Sequence, residues 1–360
     1  MTGGGIYPAL AVHQAIVAKT EAALWVGSEN GLEQSLLASF NIPFKSIPGG
    51  GIHGMGTLKK VRNFFELVKG YREAKSIVRK FKPDIIFYTG GFIGVPMALA
   101  SRNIPSVVFI PDIEPGLALK TILRNANRIL VSTDWSKQFI SYPEKVQVTG
   151  YPLRNEIKEW SREKGRAYFG INNNERVVLI FGGSKGAKSI NDALVPGINQ
   201  LTKDMHVIHL TGSANWEECQ SKFRDQSITH PEKYHAFPFL HSEMGAALSA
   251  ADLVVCRAGA STIGELPFFG LPAILVPYPY AWRYQKQNAD YLISHNAAYL
   301  LEDDQLKSKL ISTIQELIHD TQSLSEMKKN MQGLAINNAA GAVANAIIEV
   351  FEEKKGGSLS

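Results

Sequence analysis

Four glycine-rich turns are the features of this sequence best suited to holding a ligand. Each follows an apolar β-branched run, or would do so if such a run preceded it, and glycine lets the backbone approach a bound molecule closely. The turns are TGGG at 2–5, TGGF at 89–92, GGSKGA at 182–187 and CRAGAS at 256–261. Ligands of open parallel sheets bind outside the carboxyl ends of the strands, so the turns predict binding loops there. The candidate residues of the first two turns are Gly3, Gly4, Gly5, Gly90 and Gly91.

The turn at 256–261 carries the most specific chemistry. A strand is predicted to end at Arg257 and a helix to begin near Ser261. The start of a helix offers unpaired N–H groups and a partial positive charge, which suit a diphosphate. Ala260, Ser261 and Thr262 are therefore candidate phosphate contacts.

The third turn has a second interpretation, as the phosphate loop of a nucleotide triphosphatase. GGSKGAKS at 182–189 nearly matches G-x-x-x-x-G-K-[ST], but Ala187 stands where the second glycine is needed. No acidic partner for magnesium is evident at the end of a neighbouring strand, so the pattern disfavours this class. Ser184 and Lys185 stay as candidate phosphate contacts, one through a hydroxyl donor and one through positive charge.

Two series of short apolar strands alternate with helical stretches and must position these turns. This alternation predicts two α/β domains, each a parallel sheet with helices on both faces. The strands are predicted at 22–27, 43–48, 84–91, 106–112, 128–133 and 145–150, and then at 176–186, 206–212, 234–240, 252–260 and 272–279. The polar, Asn-rich stretch 155–175 is predicted to be an interdomain linker. The predicted domains are 1–158 and 159–335, followed by 336–360, where a helix returns to the first domain.

Composition narrows the classes of protein to which this chain can belong. The chain has 360 residues, long enough for two domains, and 45% apolar with 20% charged residues is typical of a globular protein. A net charge of +5 is too small to indicate nucleic acid, and no nucleic-acid partner is predicted. Cys219 and Cys256 lie far apart without metal-ligand spacing, which predicts a reducing compartment, no disulfide framework and no metal site. No secretory signal precedes the first turn.

The first turn lacks the strand that the topology requires before it. A central strand should end just before Gly3, and the printed sequence begins inside the loop. We expect the first sheet to carry an unfilled slot beside this turn and the chain to fold poorly. A translation start placed too far downstream, or a truncated chain, would explain this, and the DNA just upstream tests it.

Six segments resemble the MurG-type transferases of glycosyltransferase family 28 in their order and spacing. They are TGGGIYPALAV (2–12), TGGFIGVP (89–96), GYPLR (150–154), GGSKGA (182–187), CRAGASTIGELPFFGLPAILVPYP (256–279) and QKQNA (285–289). Members of this family move N-acetylglucosamine from UDP-N-acetylglucosamine onto lipid I, an undecaprenyl-diphosphate-linked N-acetylmuramoyl pentapeptide, to give lipid II for peptidoglycan. The resemblance covers nearly the whole chain. It implies the GT-B fold of two facing Rossmann-like domains, a donor site in the C-terminal domain, and no cofactor or essential metal.

The resemblance also implies roles for individual donor-site residues. Arg154 matches an arginine that approaches the diphosphate, Leu240 a position whose backbone reads uracil, and Gln285 a glutamine that binds sugar hydroxyls. Glu265 matches a glutamate that holds the ribose hydroxyls, since a carboxylate can accept from both hydroxyls of a diol. Two alternatives stay open: Arg154 as a surface residue, and Glu265 as part of a capping box with Thr262.

Two departures from the family lie on the acceptor side. Gly5 stands where the family has histidine, and FIPD at 109–112 replaces the family's HEQN. An inverting transfer still needs a group to take the proton of the acceptor hydroxyl. We predict Asp112 as this general base, with Glu114 as the second choice. The alternative is that Asp112 caps a helix starting near Pro115.

The stretch 57–82 is amphipathic and strongly basic, which predicts a helix. The default interpretation is a solvated helix face. Anionic lipid attracts each nearby basic residue by about 1 kcal/mol, so the excess of charge also favours a membrane surface. The family likewise implies a peripheral protein on the cytoplasmic face of the membrane, with a lipid-linked acceptor. The candidate membrane residues are Leu58, Lys59, Lys60, Arg62, Phe64 and Phe65.

Three other functions stay open. The altered acceptor-side residues favour a related transferase with a different lipid acceptor. Gly5 and the absent strand favour a non-catalytic protein that binds a UDP-sugar. A UDP-sugar epimerase would need a different set of carboxylates and no membrane face.

Overall fold

The computed structural model describes residues 3–29, 34, 37, 40–48, 57–183, 186–281 and 284–356, without the side chains of residues 3–4 and 57–65. The chain divides into two compact units. The N-terminal unit comprises Met1–Pro152 together with Asn338–Ser360, and the C-terminal unit comprises Leu153–Asn337.

The N-terminal unit contains six short strands and the helices that connect or cover them. Its strands are β1 (Trp25–Ser28), β2 (Phe44–Ile47), β3 (Ile86–Tyr88), β4 (Ser106–Ile110), β5 (Arg128–Val131) and β6 (Val146–Val148). Its α-helices among the described residues are α1 (Gly3–Ile16), α2 (Thr57–Phe81), α3 (Gly94–Ala100), α4 (Leu117–Leu123) and, from the end of the chain, α15 (Ala339–Gly356). Short 3₁₀ helices span Val17–Lys19, Asp134–Phe139 and Pro143–Lys145.

The strands of the N-terminal unit form two separate parallel sheets. β1 pairs with β2, and β3 to β6 pair in sequence order. β4 is buried at every position, as expected of a parallel strand with both faces covered, and reads as the continuous apolar run SVVFI. The core of this unit packs α2, α3 and α4 against these strands through residues such as Ile47, Val108 and Ile122.

The C-terminal unit has six strands and ten α-helices among its described residues. Its strands are β7 (Arg176–Phe181), β8 (Met205–Leu210), β9 (Tyr234–Phe237), β10 (Leu253–Cys256), β11 (Ala273–Leu275) and β12 (Ala298–Leu300). Its helices are α5 (Asn155–Lys158), α6 (Arg162–Phe169), α7 (Lys188–Leu194), α8 (Ile198–Leu201), α9 (Trp216–Gln226), α10 (Met244–Ala250), α11 (Thr262–Phe269), α12 (Tyr284–Ser294), α13 (Leu306–His319) and α14 (Thr321–Gly333). Single 3₁₀ turns span Val195–Gly197, Ser213–Asn215, Pro231–Lys233 and Asp303–Gln305.

These six strands form one continuous parallel sheet in the order β12-β11-β10-β7-β8-β9. β7, the first strand of the unit along the chain, lies in the middle of the sheet between β10 and β8. A chain that starts in the middle of a sheet and winds outward in both directions is typical of Rossmann-like folds. The loops after β7 and β10 therefore lie side by side at the centre of the carboxyl edge.

The fold class predicted from the sequence is confirmed: both units are parallel α/β structures, and each predicted strand overlaps an observed one. The predicted returning helix is also confirmed, because α15 packs against α1, β4 and β5 of the N-terminal unit. β12 was not predicted.

The predicted linker at 155–175 is wrong. This stretch folds as α5 and α6 within the C-terminal unit. Ser161 caps α6 by accepting a hydrogen bond from the Lys164 N–H at 3.3 Å, and Gly170 ends the helix in a left-handed conformation with φ 68°. Arg166 of α6 is fully buried and pairs with Asp252 at 2.9 Å, which ties the stretch to the strand β10 region.

The basic stretch predicted as a helix at 57–82 corresponds to α2, a helix of 25 residues. The side chains of the six candidate membrane residues lie outside the described part of α2. Among the described helices, none combines the length and apolar character that crossing a bilayer requires.

Candidate functional site

The carboxyl edge of the C-terminal sheet gathers most of the predicted binding residues. After β7 the chain turns through Gly183 with φ 87° and Gly186 with φ 75°, a conformation that favours glycine. A Cβ on Gly186 would lie 2.2 Å from the Thr211 carbonyl oxygen, so no other residue fits there. Ser184 and Lys185, between these glycines, lie outside the described residues.

The loop after β10 leads directly into α11, whose N-terminus opens at this edge. The helix begins at Thr262, in agreement with the predicted start near Ser261. The Thr262 hydroxyl donates to the Gly259 carbonyl at 2.6 Å and closes the loop. A Cβ on Gly259 would meet none of the described atoms within 4 Å, so its main chain faces open space. An anion can therefore approach the backbone of Gly259, Ala260 and Ser261 at a helix start.

Glu265 lies one turn into α11 and is 9% exposed. Burial raises the pKa of Glu265 to about 7, while a hydrogen bond with Ser261 and the positive charge of Arg154 act in the opposite direction. The structure thus brings Arg154 and Glu265 near one another, within the C-terminal unit. A buried carboxyl with a raised pKa is more typical of a ligand-binding position than of a surface residue.

The capping-box alternative for Thr262 and Glu265 is wrong. In a capping box the threonine hydroxyl accepts from the glutamate N–H. Here the Glu265 N–H donates to the Ser261 carbonyl at 2.8 Å, and the Thr262 N–H donates to the Gly259 carbonyl at 3.1 Å. The Glu265 carboxyl therefore has no capping role with Thr262.

Arg257, at the end of β10, organises this edge, and sequence reasoning missed its role. Its side chain is buried and forms an ion pair with Asp303 at 2.5 Å. It also donates to the Ser189 hydroxyl at 2.7 Å, and Ser189 in turn donates to Asp303 at 2.8 Å. Its guanidinium lies 5.2 Å from the centre of the Tyr278 ring. The sequence signal that could have revealed this role is a basic residue directly after the apolar run LVVC.

Two amide side chains of α12 fix the loops after β10 and β11. The Gln285 side-chain oxygen accepts from the Tyr278 N–H at 2.8 Å. Asn288 is fully buried and donates to the Ala258 carbonyl at 3.0 Å, joining α12 to the loop after β10. The predicted Gln285 thus lies at the edge, and Asn288 was missed although it stands in the quoted segment QKQNA. Leu240, in the loop after β9, is buried.

The N-terminal unit holds the remaining candidate glycines. Gly90 with φ 117° and Gly91 with φ 83° follow β3 in conformations that favour glycine. Gly3, Gly4 and Gly5 form the first turn of α1.

The two candidate bases follow β4 and differ in their surroundings. Asp112 is half-buried. Glu114 is buried and accepts a hydrogen bond from the Lys120 ammonium at 2.8 Å, so a cation already engages its charge. The following helix, α4, begins at Leu117 with Gly116 as its N-cap residue, so Asp112 is not that N-cap.

The chemistry that this arrangement allows is binding of an anion and a diol in the C-terminal unit. The start of α11 and Arg154 suit phosphate groups, and Glu265 suits neighbouring hydroxyls. Within the described ranges, no three His, Cys, Asp or Glu side chains are arranged as ligands of a metal ion.

Comparison with known families matches both halves of the chain. Residues 2–131 match the glycosyltransferase family 28 N-terminal domain. Residues 177–344 match the glycosyltransferase family 28 C-terminal domain.

Two curated relatives carry the same descriptive name. A protein of Desulforamulus reducens is 34% identical over 364 residues, covering 98% of each chain. A protein of Bacillus subtilis is 33% identical over 356 residues, covering 97% of each chain. Both are called UDP-N-acetylglucosamine–N-acetylmuramyl-(pentapeptide) pyrophosphoryl-undecaprenol N-acetylglucosamine transferase. Among solved structures, MurG of Acinetobacter baumannii is similar with a TM-score of 0.74 and 26% identity, covering 96% of each chain.

Proposed function

The chain belongs to glycosyltransferase family 28, and from this premise we propose that it transfers N-acetylglucosamine from UDP-N-acetylglucosamine to lipid I. The product is lipid II, used in peptidoglycan synthesis. The observation that carries the proposal is the buried Glu265 carboxyl one turn inside a helix whose start is open at Gly259. The carboxylate can accept hydrogen bonds from a diol, and the helix start beside it can hold an anion. A nucleoside diphosphate needs both.

The donor binds to the C-terminal unit in this proposal. Its diphosphate lies against the main chain at the start of α11, and Glu265 accepts hydrogen bonds from the ribose hydroxyls. The helix dipole and the guanidinium of Arg154 stabilise the charge that develops on departing UDP. The proposed donor contacts are Arg154, Ser184, Lys185, Leu240, Ala260, Ser261, Thr262, Glu265 and Gln285.

The transfer itself exchanges one bond of the sugar for another. The acceptor hydroxyl oxygen forms a bond to the anomeric carbon while the bond from that carbon to the β-phosphate oxygen breaks. The electron pair of the broken bond leaves with UDP, and the acceptor proton passes to Asp112, which acts as general base. We favour Asp112 over Glu114 because the Glu114 carboxylate is buried and engaged by Lys120.

The decisive experiment measures UDP release from UDP-N-acetylglucosamine with two acceptors in turn. With a lipid I analogue we expect release of one UDP per transferred sugar, and with diacylglycerol we expect none. Release with diacylglycerol alone would assign a different lipid acceptor, which Gly5 and the FIPD segment make a meaningful outcome. Binding of UDP-N-acetylglucosamine without release in either case would leave a binding protein and contradict the proposal.

The acceptor is embedded in lipid, so the proposal includes docking of α2 on an anionic membrane at the cytoplasmic face. Charge reversal of Lys59, Lys60 and Arg62 to glutamate removes three attractions of about 1 kcal/mol each and should abolish sedimentation with anionic vesicles. The matched control reverses three exposed lysines of the C-terminal unit, Lys307, Lys309 and Lys329. Equal binding by both triple variants would exclude α2 as the docking surface.

A further inference from the structure

A network of buried polar side chains runs from β9 through β8 to α7 in the C-terminal unit. The Tyr234 hydroxyl, at the start of β9, lies 2.8 Å from Nδ1 of His209 on β8. Nε2 of His209 lies 3.0 Å from Oδ1 of Asn191, and Nδ2 of Asn191 donates to the Thr211 carbonyl at 2.9 Å. His209, Asn191 and Thr211 are each at most 2% exposed. Every side-chain nitrogen and oxygen of His209 and Asn191 thus has a partner, as groups removed from water require.

The direction of each hydrogen bond in this network follows from its end at Thr211. The Thr211 carbonyl can only accept, so the amide nitrogen of Asn191 faces it and the amide oxygen faces His209. That oxygen also can only accept, so Nε2 of His209 carries the proton, and Nδ1 accepts from the Tyr234 hydroxyl. Burial lowers the pKa of His209 to about 3, so the ring stays neutral near pH 7 and keeps this tautomer.

The network ends at the corner after β8, and the loop after β7 packs against this corner. The Thr211 carbonyl accepts a second hydrogen bond, from the Asn215 side chain at 3.3 Å, so two amides hold it. A Cβ on Gly186 would collide with this carbonyl and with the Asn215 amide. The Gly186 N–H donates to the Gly183 carbonyl at 2.9 Å and closes the loop. The position of the Thr211 carbonyl therefore limits where the main chain of the loop after β7 can lie.

Asn191 connects the same network to the other end of the loop. The loop after β7 leads into α7 at Lys188, and the Asn191 N–H donates to the Ala187 carbonyl at 3.0 Å in the first turn of that helix. Through its side chain, Asn191 therefore ties the start of α7 to the corner after β8. The loop is held at both places, where Gly186 packs against Thr211 and where α7 begins.

We propose that His209 and Asn191 are positioning residues of the donor site, which hold the loop after β7 in the shape that its phosphate contacts need. This role rests on the proposed function, in which Ser184 and Lys185 of the loop contact the donor. Without the His209 donor, the buried oxygen of Asn191 would lose its hydrogen bond. Rotation of the amide toward another partner would withdraw its nitrogen from the Thr211 carbonyl and release the loop.

Three variants separate positioning of the loop from a general loss of stability. His209→Phe keeps a planar ring but removes the donor to Asn191. His209→Gln keeps that donor, because the glutamine amide nitrogen takes nearly the place of Nε2. Tyr234→Phe is the matched control, since it removes a hydrogen bond to the same histidine but leaves the Nε2–H donor to Asn191 in place.

Each chain is measured at a temperature below its thermal midpoint. Calorimetry gives the affinity for UDP-N-acetylglucosamine, and UDP release with a lipid I analogue gives kcat and the donor KM. Hydrogen exchange of the amides of residues 183–188, followed by mass spectrometry without ligand, reports on the loop itself.

We expect His209→Phe to lower the donor affinity and raise the donor KM by about tenfold, and to speed exchange in the loop. Its kcat at saturating donor should change by less than about threefold, because ground-state and transition-state binding weaken together. His209→Gln should restore the affinity, and Tyr234→Phe should keep it, although both phenylalanine variants melt at lower temperature.

Equal losses of donor affinity in His209→Phe and Tyr234→Phe would indicate general destabilisation and overturn the proposal. So would a His209→Phe chain with unchanged affinity and unchanged loop exchange. A chain with the original sequence that does not bind UDP-N-acetylglucosamine would contradict the proposed function instead, and the exchange measured without ligand would still decide whether His209 holds the loop.

Discussion

The two units share an order of parallel strands but differ at the centre of their sheets. β7 fills the centre in the C-terminal unit and is buried at five of its six positions. In the N-terminal unit, β3 ends its sheet instead of lying between two strands, and it is buried at only one of its three positions. The middle strand of such a sheet therefore has a structural role beyond the packing of its side chains. It hydrogen-bonds to the strands on both sides, and it places the loop that follows it between the loops that follow those two strands.

The units also differ in the chemistry at their carboxyl edges. The C-terminal edge has a buried carboxyl, Glu265, and an ion-paired arginine, Arg257, where we propose that an anion and a diol bind. The N-terminal edge offers glycines with positive φ, Gly90 and Gly91, and the half-buried Asp112. If donor binding belongs to one unit and proton removal to the other, single substitutions should separate the two.

Asp112→Asn provides the strongest test of this separation. Loss of a general base should lower turnover by about 10²–10⁴-fold, while the affinity for UDP-N-acetylglucosamine stays unchanged. UDP release and calorimetric titration measure the two quantities. Asp84→Asn is the matched control, because Asp84 is exposed and precedes β3 at the opposite edge of the sheet. Undiminished turnover in Asp112→Asn would assign the base elsewhere.

Arg166→Met tests whether the C-terminal unit unfolds independently of the N-terminal unit. Arg166 is fully buried and donates to three carbonyls, among them that of Ala250, as well as to Asp252. Its loss should lower the free energy of unfolding of the C-terminal unit by about 3–5 kcal/mol. Urea titration with hydrogen exchange should show this change without a shift in the N-terminal unit.

Arg162→Met is the control for that substitution. Arg162 binds the same carboxylate, Asp252, at 2.6 Å, but its side chain is 38% exposed. An exposed pair contributes at most about 1 kcal/mol. Equal destabilisation by the two variants would show that burial of Arg166 has no special weight.

Gly259→Ala tests the anion site in the C-terminal unit. The added methyl group meets none of the described atoms within 4 Å, so stability should not change, but it occupies the space beside the helix start. Affinity for UDP-N-acetylglucosamine should fall about tenfold, or 1.4 kcal/mol. Gly333→Ala is the control, since a methyl group there is equally free of described neighbours and lies on α14. Full affinity in Gly259→Ala would place the diphosphate away from this loop.

An effect of at most a similar size is a pH dependence of donor binding set by Glu265. Burial raises its pKa to about 7, and ribose hydroxyls donate best to the ionised carboxylate. The ionised fraction rises about tenfold between about pH 6 and pH 8, so the affinity should rise by up to that factor. Titrations across this range measure it, and Glu265→Gln should be flat.

Stability should change in the opposite direction. The folded state keeps the Glu265 proton to a higher pH than the unfolded chain, whose carboxyl titrates near 4.5. The free energy of unfolding should therefore decline as pH rises from about 5 to 7 and then level off, and Glu265→Gln should remove this contribution. A rise in stability over that range attributable to Glu265 would contradict its raised pKa.

The sequence predicted the parallel strands because continuous apolar runs such as SVVFI are typical of strands covered on both faces. It missed β12, a three-residue strand with only one buried position. It misread 155–175 because the stretch is polar. The burial of Arg166 depends on Asp252, a partner that lies far along the chain and follows from no local pattern.

The candidate site was also predicted only in part. Glycine turns at strand ends are local signals, and the positive φ values at Gly90 and Gly183 agree with them. The pairing of Arg257 with Asp303 and Ser189 was hidden, because it joins three separate segments of the chain that only the folded sheet brings together.

The last helix has a consequence for synthesis of the protein on the ribosome. α15 packs against α1, β4 and β5, yet it is translated after every residue of the C-terminal unit. The C-terminal unit is one uninterrupted segment and can complete its core before α15 is made, whereas the N-terminal unit waits, with part of its apolar surface uncovered, until α15 has left the ribosome. The N-terminal unit, which is made first, is therefore the part of the nascent chain most exposed to chaperones and proteases.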